Sequence, residues 1–202
     1  MAFRPFSGSS GAPDWLAVFL GNPGSRYDRT RHNMGFLAAD CLAEALDIKI
    51  NRVRFQGFTA QAAVEGHKVL LLKPQTYMNL SGESVRAAAD FYKIAPSRVI
   101  VVLDDMNIPA GRLRIRPSGS SGGHKGLQNI IDMMHTDLIP RVRIGVGKPD
   151  NPEFDVIDWV ISRMSDEELR SMLPSVKRAG DAVCEMITNG IESAMDKYNR
   201  AQ

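Results

Sequence analysis

The chain has 202 residues, 44% of them hydrophobic and 24% charged, with a formal net charge of +2. That balance fits one globular domain with a core of its own. It excludes membrane-spanning helices, which need about 18 or more consecutive apolar residues, and a disulfide scaffold, since the two cysteines, Cys41 and Cys184, have no CxxC spacing. Both cysteines fall on apolar helix faces and read as buried thiols in a reducing, cytoplasmic setting. The opening MAFRPFSGSSGAP lacks the apolar core of a secretory signal. It is expected to be a disordered lead-in over residues 1–13, followed by a single domain over 14–202. Charge is unevenly spread: residues 111–150 carry seven Lys or Arg against three Asp or Glu, and residues 151–202 carry six against ten. A basic middle beside an acidic end suits a localised anionic ligand.

In chain order, Trp15 to Leu20 is an apolar run that reads as a short buried strand. The stretch GNPGSRYDRTRHNMG follows, a Gly-Pro-Gly turn that then presents Asn22, Tyr27, Arg31, His32 and Asn33. Met34, Leu37, Ala38, Cys41, Leu42 and Ala45 recur at helical spacing and predict a helix with these six on its buried face. Phe58–Val64 and Lys68–Leu72 predict two strands joined through Glu65-Gly66-His67. PQTYMNLSG is a polar loop led by Pro74, and Glu83–Tyr92 a helix that Pro96 and Ser97 break. Val99–Leu103 is continuously apolar, the pattern of a central strand buried on both faces, and it ends in Asp104-Asp105.

Arg112–Arg116 alternates charged and apolar residues, a half-exposed strand with its arginines outward. The loop SGSSGGHKG comes next, then a helix over Leu127–Met134. Arg141–Val146 repeats the alternation, with Arg141 and Arg143 on one face and Val142, Ile144 and Val146 on the other. Ser165 and Glu168 have capping-box spacing, Pro174 is expected to kink or restart the helix they open, and Asn189-Gly190 ends it. A last helix is expected over Glu192–Asn199. With no internal repeat and no dividing linker, the pattern predicts one α/β domain: a mixed, mostly parallel sheet flanked by helices.

Unexplained polar residues collect where predicted strands end: Asn22–Asn33, Lys73–Ser81, Asp104-Asp105 and Gly119–Gly126. Such loops meet over one edge of an open sheet and are expected to line one cleft. His32 is then a candidate general base or a structural hydrogen-bonder. Asp104, at the end of a central strand, could accept from one imidazole nitrogen and leave the other free for a proton, or could cap a turn. Asn22 and Asn79 carry amides suited to an ester oxyanion, although both also suit turns. Arg116 and Arg143 suit phosphate, or are solvated surface charge.

Three familiar motifs fail. Gly119–Gly123 matches G-x-S-x-G, but only His124 and His135 follow Ser121, too close in the chain to complete a hydrolase triad. Lys125 is followed by Gly126, not the Ser or Thr of a P-loop, and no G-x-G-x-x-G occurs. A metal site from His32, Asp104, Asp105 and His124 lacks any ligand spacing that would support it. What remains of SGSSGGHKG is an amide-rich loop at a helix start, suited to phosphate.

GNPGSRYDRTRHNMGF, KPQTYMNLSGE, VVLDDMNIPAGRLRIRPSGSSGGHKGLQNII and RVRIGVGKP, in this order and at these separations, resemble the bacterial-type peptidyl-tRNA hydrolases. The resemblance runs from about Trp15 to the C-terminal helix. It implies a monomeric, cytoplasmic α/β enzyme with neither metal nor other cofactor and no membrane partner. Its implied reaction is hydrolysis of the ester joining a peptide to the terminal ribose of tRNA. On this resemblance His32 is the general base toward water and Asp104 the acid that stabilises its protonated form. Asn22 matches the position that separates blocked from free aminoacyl-tRNA, Tyr27, Tyr77 and Asn79 match substrate-binding positions, and Arg116 with Arg143 a tRNA phosphate clamp. Lys125 stands where many members carry Asn, a cation in place of an amide and within reach of tRNA phosphate. The competing reading is an RNA-binding protein of the same fold that does not cleave.

Overall fold

The computed structural model of the chain describes residues 11–149, 151 and 153–200. Its strands are β1 (Trp15–Phe19), β2 (Arg52–Arg54), β3 (Gly57–Val64), β4 (His67–Pro74), β5 (Val99–Asp105), β6 (Leu113–Arg116) and β7 (Arg141–Gly145). Its helices are α1 (Met34–Ala45), α2 (Ser81–Tyr92), α3 (Lys125–Met134), α4 (Val156–Ile161), α5 (Asp166–Thr188) and α6 (Ile191–Tyr198). The strands form one sheet in the order β2-β3-β4-β1-β5-β7-β6. Strands β4, β1, β5 and β7 run parallel, while β3 and β6 run antiparallel to their neighbours. The mixed, mostly parallel sheet expected from the sequence is what the chain forms.

Both faces of the central strands are covered, which is why their sequences are continuously apolar. Ala17 and Phe19 of β1 with Ile100 and Val102 of β5 pack under α1, α5 and α6. Leu16, Val18 and Leu20 with Val99, Val101 and Leu103 pack under α2 and α3. The chain order turns at β1, which has β4 on one side and β5 on the other. A crevice therefore opens beyond the carboxyl ends of these strands. Phe19 lies opposite Val102, and the Leu20 N–H donates to the Val102 carbonyl at 2.9 Å. That register holds the loop after β1 beside the end of β5.

Several expectations need correcting. Ala45 is exposed, and the buried stripe of α1 instead takes in Gly35, Phe36, Ala39 and Ala43. The stripe is rotated because α1 presses on the sheet through Gly35 and on α5 through Leu42, which Gly180 meets. Helix α5 continues through Pro174, so the helix does not restart there. The proline is exposed, as is Arg170, whose carbonyl loses its partner, so water can replace the missing bond. Strand β2 and helix α4 were not expected. Most of the predicted lead-in, residues 1–10, lies outside the described residues, whereas Pro13 is buried.

Gly35 shows how tightly the site's scaffold is set. A Cβ there would lie 2.4 Å from the Leu20 carbonyl oxygen and 2.7 Å from that of Val102, both backbone atoms. Gly35→Ala is expected to destabilise the fold by about 1–3 kcal/mol through overpacking, despite alanine's better helix propensity. Denaturant unfolding measures this, and an unchanged midpoint would contradict the close packing of α1 on β1.

Candidate active site

The crevice is a cleft of about 640 Å³ lined by the loops after β1, β4 and β5, by the glycine-rich loop and by α4. Seven of the nine residues singled out in the sequence line it: Asn22, Tyr27, His32, Tyr77, Asn79, Asp104 and Lys125. Arg116 and Arg143 do not.

His32 sits in a short 3₁₀ turn, Arg31–Asn33, that leads into α1. The turn is fixed from both sides. Asn33 clasps the loop after β1, accepting from the Asn22 N–H at 2.8 Å and donating to the Asn22 carbonyl at 3.0 Å. Arg31 stacks its guanidinium 3.5 Å over the Trp159 ring of α4, donates to Ser162 Oγ at 2.9 Å and pairs with Glu168. His32 is thus held between β1 and the α4–α5 segment.

His32 Nδ1 lies 3.0 and 3.1 Å from the two oxygens of Asp104, which is only 3% exposed. A carboxylate can only accept, so Nδ1 carries the proton and Nε2 is left with its lone pair. Burial pulls the His32 pKa down, but the charge and hydrogen bond of Asp104 outweigh it. The net shift is upward, with the Lys125 ammonium opposing it. Burial likewise pushes Asp104 up, and the two imidazoles it bonds more than reverse this. Its pKa ends below the usual carboxylate range.

The second imidazole is His124, which the sequence offered only in motifs that failed. Its Nε2 lies 3.1 Å from Asp104 Oδ1, and its Nδ1 accepts the Leu127 N–H at 3.2 Å as the N-cap of α3. His32, His124 and Asp104 therefore offer three ligand atoms within 4.8 Å of one another. A metal on His124 Nε2 would force that ring's proton onto Nδ1, against the Leu127 N–H. The donor set fits a hydrogen-bonded chain, not a metal cage.

The amides are better resolved by geometry than by spacing. Asn22 Oδ1 accepts the Met78 N–H at 2.8 Å, so its NH₂ is the end left without a protein partner among the described residues. Asn79 lies in the 3₁₀ turn Met78–Leu80, exposed, and its side chain makes no hydrogen bond there. It is not spent on turn chemistry. Tyr27 lies under the Arg26 guanidinium, 4.5 Å from its ring centre, and Tyr77 is 56% exposed. The Ser121 hydroxyl donates to Gln128 Oε1 at 2.8 Å and bonds no histidine side chain, which disposes of the G-x-S-x-G match.

The arginines divide differently from expectation. Arg141 is fully buried, its guanidinium donating to the Gly119 and Asp137 carbonyls at 2.6 and 3.2 Å. Burial, and then neighbouring Arg143, hold its pKa down to about 10. Arg143 donates to Asp105 at 3.0 Å and to the Ser120 carbonyl at 2.9 Å. Both brace the glycine-rich loop and neither offers an exposed fork. Register pairs Arg116 with Arg141 and Arg114 with Arg143, so all four share one face, and only Arg114 and Arg116 are exposed on it. The sequence reading turned the arginines of this strand outward but named only Arg116 among them as a phosphate candidate. It missed α4, whose Val156, Ile157 and Ile161 are exposed and form an apolar wall of the cleft.

Comparison with known proteins gives one answer. The sequence profile of the family described as Peptidyl-tRNA hydrolase matches residues 16–202. The peptidyl-tRNA hydrolase of Caldanaerobacter subterraneus subsp. tengcongensis is 47% identical over 185 residues, 92% of this chain and 99% of that protein. That of Clostridium botulinum is 46% identical over 185 residues, 92% of this chain and 95% of that protein. The crystal structure of the Acinetobacter baumannii peptidyl-tRNA hydrolase superposes with a TM-score of 0.86 at 35% identity, covering 96% of this chain and 99% of that one. By sequence and by fold, then, this chain belongs to the peptidyl-tRNA hydrolase family.

Proposed function

We propose that the cleft hydrolyses the ester between a peptide, or an N-blocked amino acid, and the terminal ribose of tRNA. The observation that carries this reading is the His32–Asp104 pair, with Nε2 of His32 unbonded at the cleft. In this mechanism Nε2 takes a proton from water, and the resulting hydroxide forms a bond to the ester carbonyl carbon. Asp104 stabilises the imidazolium. The bond to the ribose oxygen then breaks, and His32 returns its proton to that oxygen. Asn79 donates to the developing oxyanion. The free Asn22 amide meets the acylated amino group and separates blocked from free substrate, while Tyr27 and Tyr77 flank the substrate. The family resemblance supports a cytoplasmic monomer; no helix among the described residues is long and apolar enough to cross a membrane.

Phosphate recognition falls to Arg114 and Arg116, the exposed pair at the sheet edge, with Lys125 at the start of α3. This moves one half of the sequence-predicted clamp from Arg143 to Arg114. Arg143 acts on the reaction by holding the glycine-rich loop.

Release of an N-blocked amino acid from its tRNA tests the base. His32→Ala is expected to lower turnover by about 10²–10⁴-fold, the usual worth of a general base. Near-normal turnover by a folded variant would overturn the assignment. Because Asp104 raises the His32 pKa, the acidic limb of kcat/KM should lie above about 6.5, the free-histidine value, with activity rising as the ring loses its proton. A limb at or below that value would contradict the pairing.

Salt dependence separates the arginines. Arg114→Ala and Arg116→Ala should each raise KM and reduce the slope of log affinity against log salt by about 0.7–0.9, one phosphate contact. Arg143→Ala should lower kcat and leave that slope unchanged. A slope reduced by Arg143→Ala at full kcat would return Arg143 to the clamp.

A further inference from the structure

His124 does something the general-base reading leaves unassigned. Its two ring nitrogens are both committed. Nδ1 accepts the Leu127 N–H at 3.2 Å, and Nε2, which must then carry the ring's proton, donates to Asp104 Oδ1 at 3.1 Å. Neither nitrogen offers a lone pair to water, although the ring centre is only 4.8 Å from that of His32. The same oxygen, Asp104 Oδ1, also receives His32 Nδ1. Two imidazoles therefore share one carboxylate oxygen, and helix α3 fixes the tautomer of one of them.

We infer that His124 is a positioning residue: a neutral imidazole, locked as the Nε2–H tautomer by capping α3, that orients Asp104 and withdraws part of its charge from His32. The inference rests on the proposed role of His32. Its logic is a competition. A carboxylate that already accepts a hydrogen bond has less charge for stabilising imidazolium, so His124 keeps the His32 base from being tied up in its protonated form. The glycine-rich loop that Arg141 and Arg143 brace is what delivers His124 to this position. The other titratable or charged groups facing the pair are Lys125, Arg26, Tyr27, Tyr77 and Asp105. Of these, Lys125 also opposes the protonation of His32, and Asp105 is already bonded to Arg143.

Two substitutions separate orientation from capping. His124→Asn keeps a good N-cap acceptor but ends one bond short of Asp104. His124→Gln reaches Asp104 with an amide donor and caps poorly. The pH dependence of kcat/KM on N-blocked aminoacyl-tRNA is expected to move up by about 0.5–1 unit at its acidic limb in His124→Asn, one hydrogen bond's worth of shift. In His124→Gln it should stay near wild type, although thermal stability falls further there. A limb unmoved in His124→Asn, with activity in both variants following their melting temperatures, would overturn the inference and leave a cap only. Long-range ¹H–¹⁵N NMR of the wild-type protein at pH 8 supplies the second readout, free of any assumption about substrate. The Nε2–H tautomer at His124 supports the inference and the Nδ1–H tautomer overturns it. If instead the wild-type limb survives in His32→Ala, it is the general-base reading that falls.

Discussion

The site depends on a carboxylate taken out of water. Removing an ionised group from solvent costs several kcal/mol even after relaxation, so Asp104 needs donors of its own. It has two imidazole N–H groups at 3.0 and 3.1 Å, each hydrogen bond to a charged group being worth about 1.5–3 kcal/mol. Those donors come from opposite ends of the chain's middle, one before α1 and one before α3, so satisfying Asp104 closes the cleft's floor. The consequences for pH follow from the signs. A depressed carboxyl contributes stability above its unfolded pKa and loses it only as pH falls through the still lower folded value. His32 is raised, so its share is complete below about 6.5, the free-histidine value, and fades as pH rises through the folded value. The proposed mechanism needs His32 neutral. Stability and activity therefore draw on opposite states of the same ring over one interval.

Much of this was legible because the signals were local. A continuously apolar Val99–Leu103 can only be a strand covered on both faces, and a carboxylate at its end stands at the sheet's edge, where ligands bind. What was not legible depended on partners distant in sequence. Pro174 reads as a kink or a restart, yet it lies on the solvent side of α5, where the helix continues past it, and that side is set by packing against α1. The stripe of α1 is shifted for the same reason: Gly35, which has no side chain to count, sits where a Cβ would meet the backbone of Leu20 and Val102. Helix α4 was missed because its apolar residues face the cleft and not a core, so their spacing has no buried face to report.

The arginines show where alternation stops being informative. Arg114, Arg116, Arg141 and Arg143 all obey the same period of two and share one face. Alternation predicts that much. It cannot say that a loop arriving from β6 lies over β7 and not over β6 itself. That loop turns Arg141 and Arg143 into a brace made of carbonyl and carboxylate contacts, and leaves Arg114 and Arg116 to solvent. A guanidinium is suited to either role, since its fork fits carbonyl oxygens and phosphate alike. Burial, not residue type, decides between them.

The same reasoning explains the charge around the cleft. Asp104 at the floor of the cleft is matched by the imidazoles of His32 and His124, and Asp105 is matched by Arg143. Lys125 and Arg26 at the wall have no carboxylate partner among the described residues, and the start of α3 adds the positive end of a helix. A cleft with a neutralised floor and a positive wall is poorly matched to a neutral ester at rest. It is better matched to the state in which hydroxide has added to the carbonyl and phosphates lie alongside. In the proposed mechanism Lys125, set at the first position of α3, acts in two opposed ways. Its charge favours the oxyanion, and the same charge opposes the imidazolium that forms on His32. An asparagine there would do neither by charge, so the cation sets oxyanion stabilisation against the cost of protonating the base, without altering the hydrogen-bonded floor.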